Sequence, residues 1–159
     1  MPDLTPRSPT HSVTTMTEFV LPTHANALHT VFGGQIMAWM DLCAAICAQR
    51  HTGTVCVTAG VDDLAFDGPI QIGQVVRLNA RVTATFRSSL EVEIRVEGED
   101  SLTGQTWPCV SAFLTFVSVD SELKPIPCVP LLLETDEDRT LAAAANVRRA
   151  ERLAKKKKR

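Results

Sequence analysis

The stretch GGQIMAWMDLCAAICAQR, Gly33 to Arg50, sets the hardest condition on how this chain can fold. Its apolar residues recur at helical spacing and Thr52 and Gly53 follow as turn residues, so a helix is predicted from the glycine pair to about Arg50. On a helical wheel, Ile36, Met40, Cys43 and Cys47 form one apolar stripe, while Gly34, Ala38, Ala45 and Ala48 make up most of the opposite side. Almost no face is polar, which implies burial nearly all round. In a chain of 159 residues, long enough for one domain with a real core, a sheet wrapped around the helix would satisfy that demand. One carboxylate, Asp41, falls on the small-residue side between Met37, Ala45 and Ala48, where something other than bulk water must come close to it.

The material for such a sheet follows in the sequence. A short strand is expected at Ser12–Val20, and from Val55 onward the period changes from helical to alternating. Val76, Leu78, Ala80, Val82, Ala84 and Phe86 alternate with polar residues across 75–87; Leu90, Val92, Ile94 and Val96 do so across 89–97. Cys109 to Val119 is apolar on both faces, as a central strand would be. If both alternating sets share one face, Phe86 lies opposite Leu90, Ala84 opposite Val92 and Val82 opposite Ile94, with Arg87, Ser88 and Ser89 as a three-residue turn. One long helix with several antiparallel strands makes an α+β domain, placed at residues 12–133. Residues 1–11 read as a Pro/Ser/Thr-rich tail, disordered or lightly docked. Residues 134–159 read as a polar C-terminal helix with acids at its start and the basic run KKKKR at its end, as the macrodipole prefers.

Several classes of function lose support. A net charge of −2 gives no overall attraction to nucleic acid, and the terminal basic run is equally a solvated helix end. No apolar run approaches the length of a membrane span, and the N-terminus has no apolar leader, so a cytoplasmic location and no membrane partner are expected. Cys43, Cys47, Cys56, Cys109 and Cys128 are odd in number and lack zinc-type spacing, which reads as buried free thiols. Cys43 and Cys47, one turn apart, have no nearby His or Cys to complete a ligand set, so neither a metal nor a redox cofactor is expected.

The chemistry-bearing residues gather around the helix. Gly33 and Gly34 offer exposed amides at its positive end, a place for an oxyanion. Asn26, just upstream, can polarise a carbonyl, and Asp41 can act as nucleophile or general base. These are the parts of an acyl-transfer site, but from Gly34 to Asp41 the helix rises roughly 10 Å, too far for both to serve one carbonyl. The expected solution is a site joining the glycine end and Asn26 of one subunit to Asp41 of another across a two-fold axis. His24 and Thr58 are weaker candidates: His24 has no evident acid partner, and Thr58 lies on a strand where it could hold Asp41 or a water.

HAN followed by VFGGQIMAWMD, then VTAGVDDLAF, GPIQIGQVVRLNARV and FRSSLEVEIRVE, resembles the acyl-CoA hydrolases of the hotdog fold from about Met16 to Asp120. The resemblance implies an antiparallel sheet around a central helix, a homodimer as the minimal unit, commonly assembled as a trimer of dimers, and hydrolysis of acyl-CoA thioesters. It assigns paired catalytic roles to Asn26 and Asp41 from opposite subunits, and contact with the phosphates of coenzyme A, here part of the substrate, to Arg87, Ser88 and Ser89. Two positions depart from its usual pattern: His29 and Phe86 stand where relatives often carry Gly, touching the loop over the thioester and the approach of CoA respectively. The competing expectations are a hotdog hydratase or dehydratase, which wants a His beside the acid, and a non-catalytic acyl-CoA-binding protein.

Overall fold

The computed structural model describes residues 3–159; Met1 and Pro2, the start of the expected tail, lie outside the described residues. Strand β1 (Thr14–Phe19) leads through a loop to α1 (Gly33–Thr52), followed by β2 (Val55–Phe66), β3 (Val75–Thr85), β4 (Ser89–Glu99), β5 (Thr106–Val119) and α2 (Asp136–Lys157). The strands form one antiparallel sheet in the order β1-β3-β4-β5-β2. Its concave face wraps α1, the hotdog arrangement.

The helix ends where the sequence stops it: Gly53 takes φ +70°, a left-handed cap, and its N–H donates to the Gln49 carbonyl at 2.8 Å. One side of α1, with Ile36, Trp39, Met40, Cys43 and Cys47, is buried against Leu78, Val82, Val92, Ile94, Leu114 and Phe116 of the sheet. Each large side chain removed from water here stabilises the fold by roughly 1.5–3 kcal/mol. The expected burial on all sides is not reached within the chain. Gly34, Met37, Ala38, Asp41, Leu42 and Ile46 are exposed, because the sheet curls around only one side of the helix.

The β3–β4 hairpin also departs from expectation. Val82 pairs with Val92 and Ala80 with Ile94, and a bulge at Thr83 shifts the register so that Thr85, not Phe86, opposes Leu90. Ser89 belongs to β4, so the turn is made by Phe86, Arg87 and Ser88. The extra residue reverses the faces beyond it. Ala84 and Phe86 therefore leave the concave core and pack with Ala142 and Ala145 of α2 on the convex side. Phe86 is an anchor for α2, with the Arg149 guanidinium 4.5 Å from its ring.

Helix α2 is nucleated by a capping box in which Thr135 and Asp138 bond each other's backbone N–H groups. Its polar face is tied to the sheet by Asp138 with Arg81, by Arg152 with Asp62 at 2.6 Å, and by Arg148, which grips buried Glu91 through two N–H donors and lies 3.5 Å over the Phe113 ring. At the N-terminal end, Pro9–His11 forms one 3-10 turn capped by Ser8. Arg7 is docked by backbone bonds with Pro130 and Leu132, and its guanidinium donates to the His51 carbonyl at 2.7 Å.

Candidate active site

Asp41 emerges from the uncovered side of α1 and meets Thr58 on β2, whose hydroxyl donates to Asp41 Oδ1 at 2.6 Å. The second carboxylate oxygen, Oδ2, has no partner among the described residues. The pair stands at the wall of a cavity of about 320 Å³ lined by Gly34, Met37, Met40, Val61, Leu64 and Leu114 among others. The lining is apolar apart from the Asp41–Thr58 pair, which suits an acyl chain ending at a reacting carbonyl. Thr58 is held in place by a β-bulge: the register of β2 against β5 slips between Thr58 and Gly60.

The helix start supplies donors. Phe32 caps α1 without a side-chain bond, and the amides of Gly33 and Gly34 find no acceptor among the described residues. A Cβ on Gly34 would touch nothing within the chain, whereas one on Gly33 would meet the Phe66 ring at 3.4 Å. Glycine at 34 is therefore not required by the packing of this chain, and the residue lines the same cavity as Asp41.

Asn26 is not part of that cavity. Its Oδ1 accepts the N–H of Leu28 at 2.9 Å and of Thr30 at 3.2 Å, and its Nδ2 donates to the Thr30 hydroxyl at 2.9 Å. These bonds fix the amide so that one Nδ2–H remains for a ligand. The loop is further pinned by Val31 N–H to Ile70 and Ile72 N–H to His29. His29 takes φ +61°, a left-handed turn that explains why glycine suits this position. His24 serves the loop rather than the cavity: its Nδ1 accepts from Leu21 N–H and its ring meets Trp39 edge-on at 4.9 Å. Arg87, Ser88 and Ser89 also lie away from the cavity, at the end of the sheet where β2 begins. Their carbonyls accept from Cys128, Ser118 and Phe86, leaving the exposed Arg87 head without an ion pair among the described residues.

Sequence reasoning did not find Thr30 as the support of Asn26. The signal was present, since an Asn followed by a Thr four residues on can close an Asx-type loop. The cavity walls Leu64 and Leu114 carried no such signal. Among the described residues, no group of three His, Cys, Asp or Glu could hold a metal ion. The thiols of Cys43, Cys47 and Cys109 are pushed up to about 11 and that of Cys128 to about 12, in each case chiefly by burial.

A family model described as the thioesterase superfamily matches residues 28–105. YkhA of Bacillus subtilis strain 168, described as an uncharacterized acyl-CoA thioester hydrolase, is 38% identical over 141 residues, covering 89% of this chain and 82% of that protein. The chain belongs to the thioesterase superfamily. Mouse acyl-coenzyme A thioesterase 11 is 39% identical over 87% of this chain but only 23% of its own length, so the chain spans about a quarter of the longer thioesterases it matches. Among solved thioesterases, an apo-hexameric acyl-CoA thioesterase superposes with TM-score 0.90 at 34% identity, covering 95% of this chain and 97% of that one. The acyl-CoA hydrolase of Staphylococcus aureus, in complex with butyryl coenzyme A, coenzyme A and coenzyme A disulfide, superposes with TM-score 0.87 at 32% identity, over 96% of this chain and 93% of that one. Structures of that hydrolase with an Asp, an Asn or a Thr changed to Ala match similarly.

Proposed function

We propose that this protein is an acyl-CoA thioesterase, hydrolysing acyl-CoA to a free fatty acid and CoA. The observation that carries the reading is the Asp41 carboxylate at the wall of an apolar cavity, with one oxygen held by Thr58 and the other free. In this reading the acyl chain lies in the cavity, the amide of Gly34 and the spare Nδ2–H of Asn26 from one subunit stabilise the developing oxyanion, and Asp41 Oδ2 from the other subunit either deprotonates the attacking water or adds to the carbonyl itself. The thiolate of CoA leaves in either case, and in the second route water then hydrolyses the anhydride formed on Asp41, freeing the fatty acid and restoring the carboxylate. The altered Asn, Asp and Thr of the Staphylococcus aureus hydrolase are spaced as Asn26, Asp41 and Thr58 are here, which supports the same division of roles.

The site is completed by a second copy of the chain. β2 is an edge strand of 12 residues, and it exposes Val55, Val57, Val61 and Phe66 beside the uncovered Met37 and Leu42 of α1. A long apolar open edge invites pairing with its own copy about a two-fold axis. That dimer brings Asn26 of one subunit towards Asp41 of the other, and a trimer of such dimers follows the hexameric relative. Arg87, Ser88 and Ser89 then contact the phosphates of CoA. Hydratase chemistry lacks its histidine: among the described residues none of the His side chains lines the cavity, and His51 is buried against the Val129 carbonyl. The five free cysteines, all buried, accord with a reducing, cytoplasmic setting. No helix among the described residues is long and apolar enough to cross a membrane.

The test is hydrolysis of saturated acyl-CoAs of graded chain length, followed by trapping the released thiol with a dye. Turnover on at least part of the series is expected, and binding without turnover on every length would leave only an acyl-CoA-binding protein.

A further inference from the structure

A lone leucine on a protein surface is ordinary and needs no explanation. Leu28 differs because of what its backbone is tied to. Its side chain is 80% exposed, and among the described large apolar residues only Leu102, in the turn between β4 and β5, stands further out. Yet the Leu28 N–H donates to Asn26 Oδ1 at 2.9 Å, in a loop that Thr30 closes from the other side. The loop therefore holds an apolar side chain outward in a fixed position.

The cavity that contains Asp41 has the complementary defect. Met40 and Leu114 give it a buried floor, but Met37 and Val61, which line it from α1 and β2, are 41% and 45% exposed. An acyl chain lying there would keep one flank in water, whereas ligand sites commonly cover about 70–90% of an apolar ligand. The open flank is the side on which the second copy packs, and from which the partner's Asn26 arrives.

Leu28 travels with Asn26. Two residues span at most roughly 7 Å of backbone, and the hydrogen bond between them fixes their relative placement. A dimer that brings Asn26 to the opposite Asp41 therefore brings Leu28 to the opposite cavity. We propose that Leu28 closes the acyl cavity of the partner subunit and sets how strongly that cavity favours longer acyl chains. The inference rests on the acyl-CoA reading and on the shared site. Leu28 covers methylene groups beyond the reacting carbonyl, which are present alike in the ground and transition states, so it acts on binding of the chain and not on the chemical step. Each methylene fully covered contributes about fourfold in affinity.

Leu28→Ala keeps the N–H that holds Asn26 and removes a side chain with little packing inside its own subunit, so it should fold as the parent does by circular dichroism. Across saturated acyl-CoAs it should raise KM for the longest chain the parent accepts about tenfold at little changed kcat, and affect the shortest far less. Hybrids read which subunit Leu28 serves. Pairing an Asn26→Ala chain with an Asp41→Asn chain leaves one working site, built from Asn26 of the second chain and Asp41 of the first. Leu28→Ala added to the Asp41→Asn chain should reproduce the rise in KM; added to the Asn26→Ala chain it should leave KM at the parental value. KM does not depend on how many sites work, so the yield of hybrid does not enter the comparison. The reverse pattern, equal effects from either chain, or a Leu28→Ala protein with the parental length profile overturns the inference and leaves the thioesterase reading intact. A fall in kcat of one size at every length overturns it too, by placing the effect on Asn26. A parent without turnover on any acyl-CoA overturns both.

Discussion

Asp41 and Thr58 show how much one hydrogen bond can decide. With Oδ1 held at 2.6 Å by Thr58, the carboxylate cannot rotate freely, and the unbonded Oδ2 is left for the reaction. Asp41→Asn keeps the size and the acceptor but removes the base or nucleophile. It should lower kcat for acyl-CoA by about 10²- to 10⁴-fold with KM little changed. Thr58→Val should lower kcat only about tenfold, since it releases the carboxylate without removing it. Equal losses in the two variants, measured by steady-state kinetics, would show that Thr58 does more than orient.

His51 makes a different residue-scale prediction. It is fully buried, Nε2 donates to the Val129 carbonyl at 2.9 Å, and Nδ1 faces no partner among the described residues. Burial pushes its pKa below 6.5, against a partial offset from the Val129 bond, and Arg7 and His11 push the same way as burial. Protonation would also place an N–H at Nδ1 with nothing to receive it. Because the folded pKa is depressed, the unfolded chain binds the proton first, so this contribution to stability is complete above about pH 6.5 and is lost as pH falls towards the folded pKa. Chemical denaturation from about pH 7 down to pH 5 should show that decline in the parent, and a shallower one in His51→Gln.

At the scale of elements, the link between α2 and the sheet depends on a pair taken almost wholly out of water. The side chains of Glu91 and Arg148 are 2% and 15% exposed, and the Thr83 hydroxyl adds a third donor to the carboxylate. Arg148→Ala should destabilise the fold by about 3–5 kcal/mol, because it strands a buried charge, whereas Glu91→Gln with Arg148→Met should recover most of that loss. Denaturant titration of the three variants separates the cost of the broken pair from the worth of the intact one. Neither partner stood out in the sequence. Glu91 occupies an ordinary polar position in an alternating strand, and only its opposite number on a distant helix makes it special. α1, by contrast, was legible almost to the residue, since periodicity, the glycine pair and Gly53 all agree. The hairpin was legible in period but not in register. Any register shifted by two residues keeps every side chain on its face, so alternation alone cannot choose between Ala84 and Val82 as the residue opposite Val92. Nor does it reveal the bulge at Thr83, which turns Ala84 and Phe86 towards α2. Of the site, Asp41 stood out because an apolar helix had no other use for it, while the cavity walls are set by which strands meet and are invisible in a linear reading.

For the whole molecule, the separation of Asn26 from Asp41 has a consequence that kinetics on single variants cannot reach. Within one chain, Asn26 is locked into the loop before α1 and is absent from the cavity that holds Asp41, and the helix rise adds roughly 10 Å between Gly34 and Asp41. If each site takes Asn26 from one subunit and Asp41 from the other, Asn26→Ala and Asp41→Asn homodimers are both impaired. Their hybrid is not. In the hybrid, one site collects both defects, and the other receives both normal residues, because each comes from the opposite chain. Co-expressing the variants with different tags and isolating the doubly tagged species should therefore give a kcat far above that of either variant, reaching about half the wild-type value at unchanged KM where every dimer is a hybrid. A hybrid no faster than either homodimer would place both residues at the same site from one chain, and the loop carrying Asn26 would then have to move across α1 to reach Asp41.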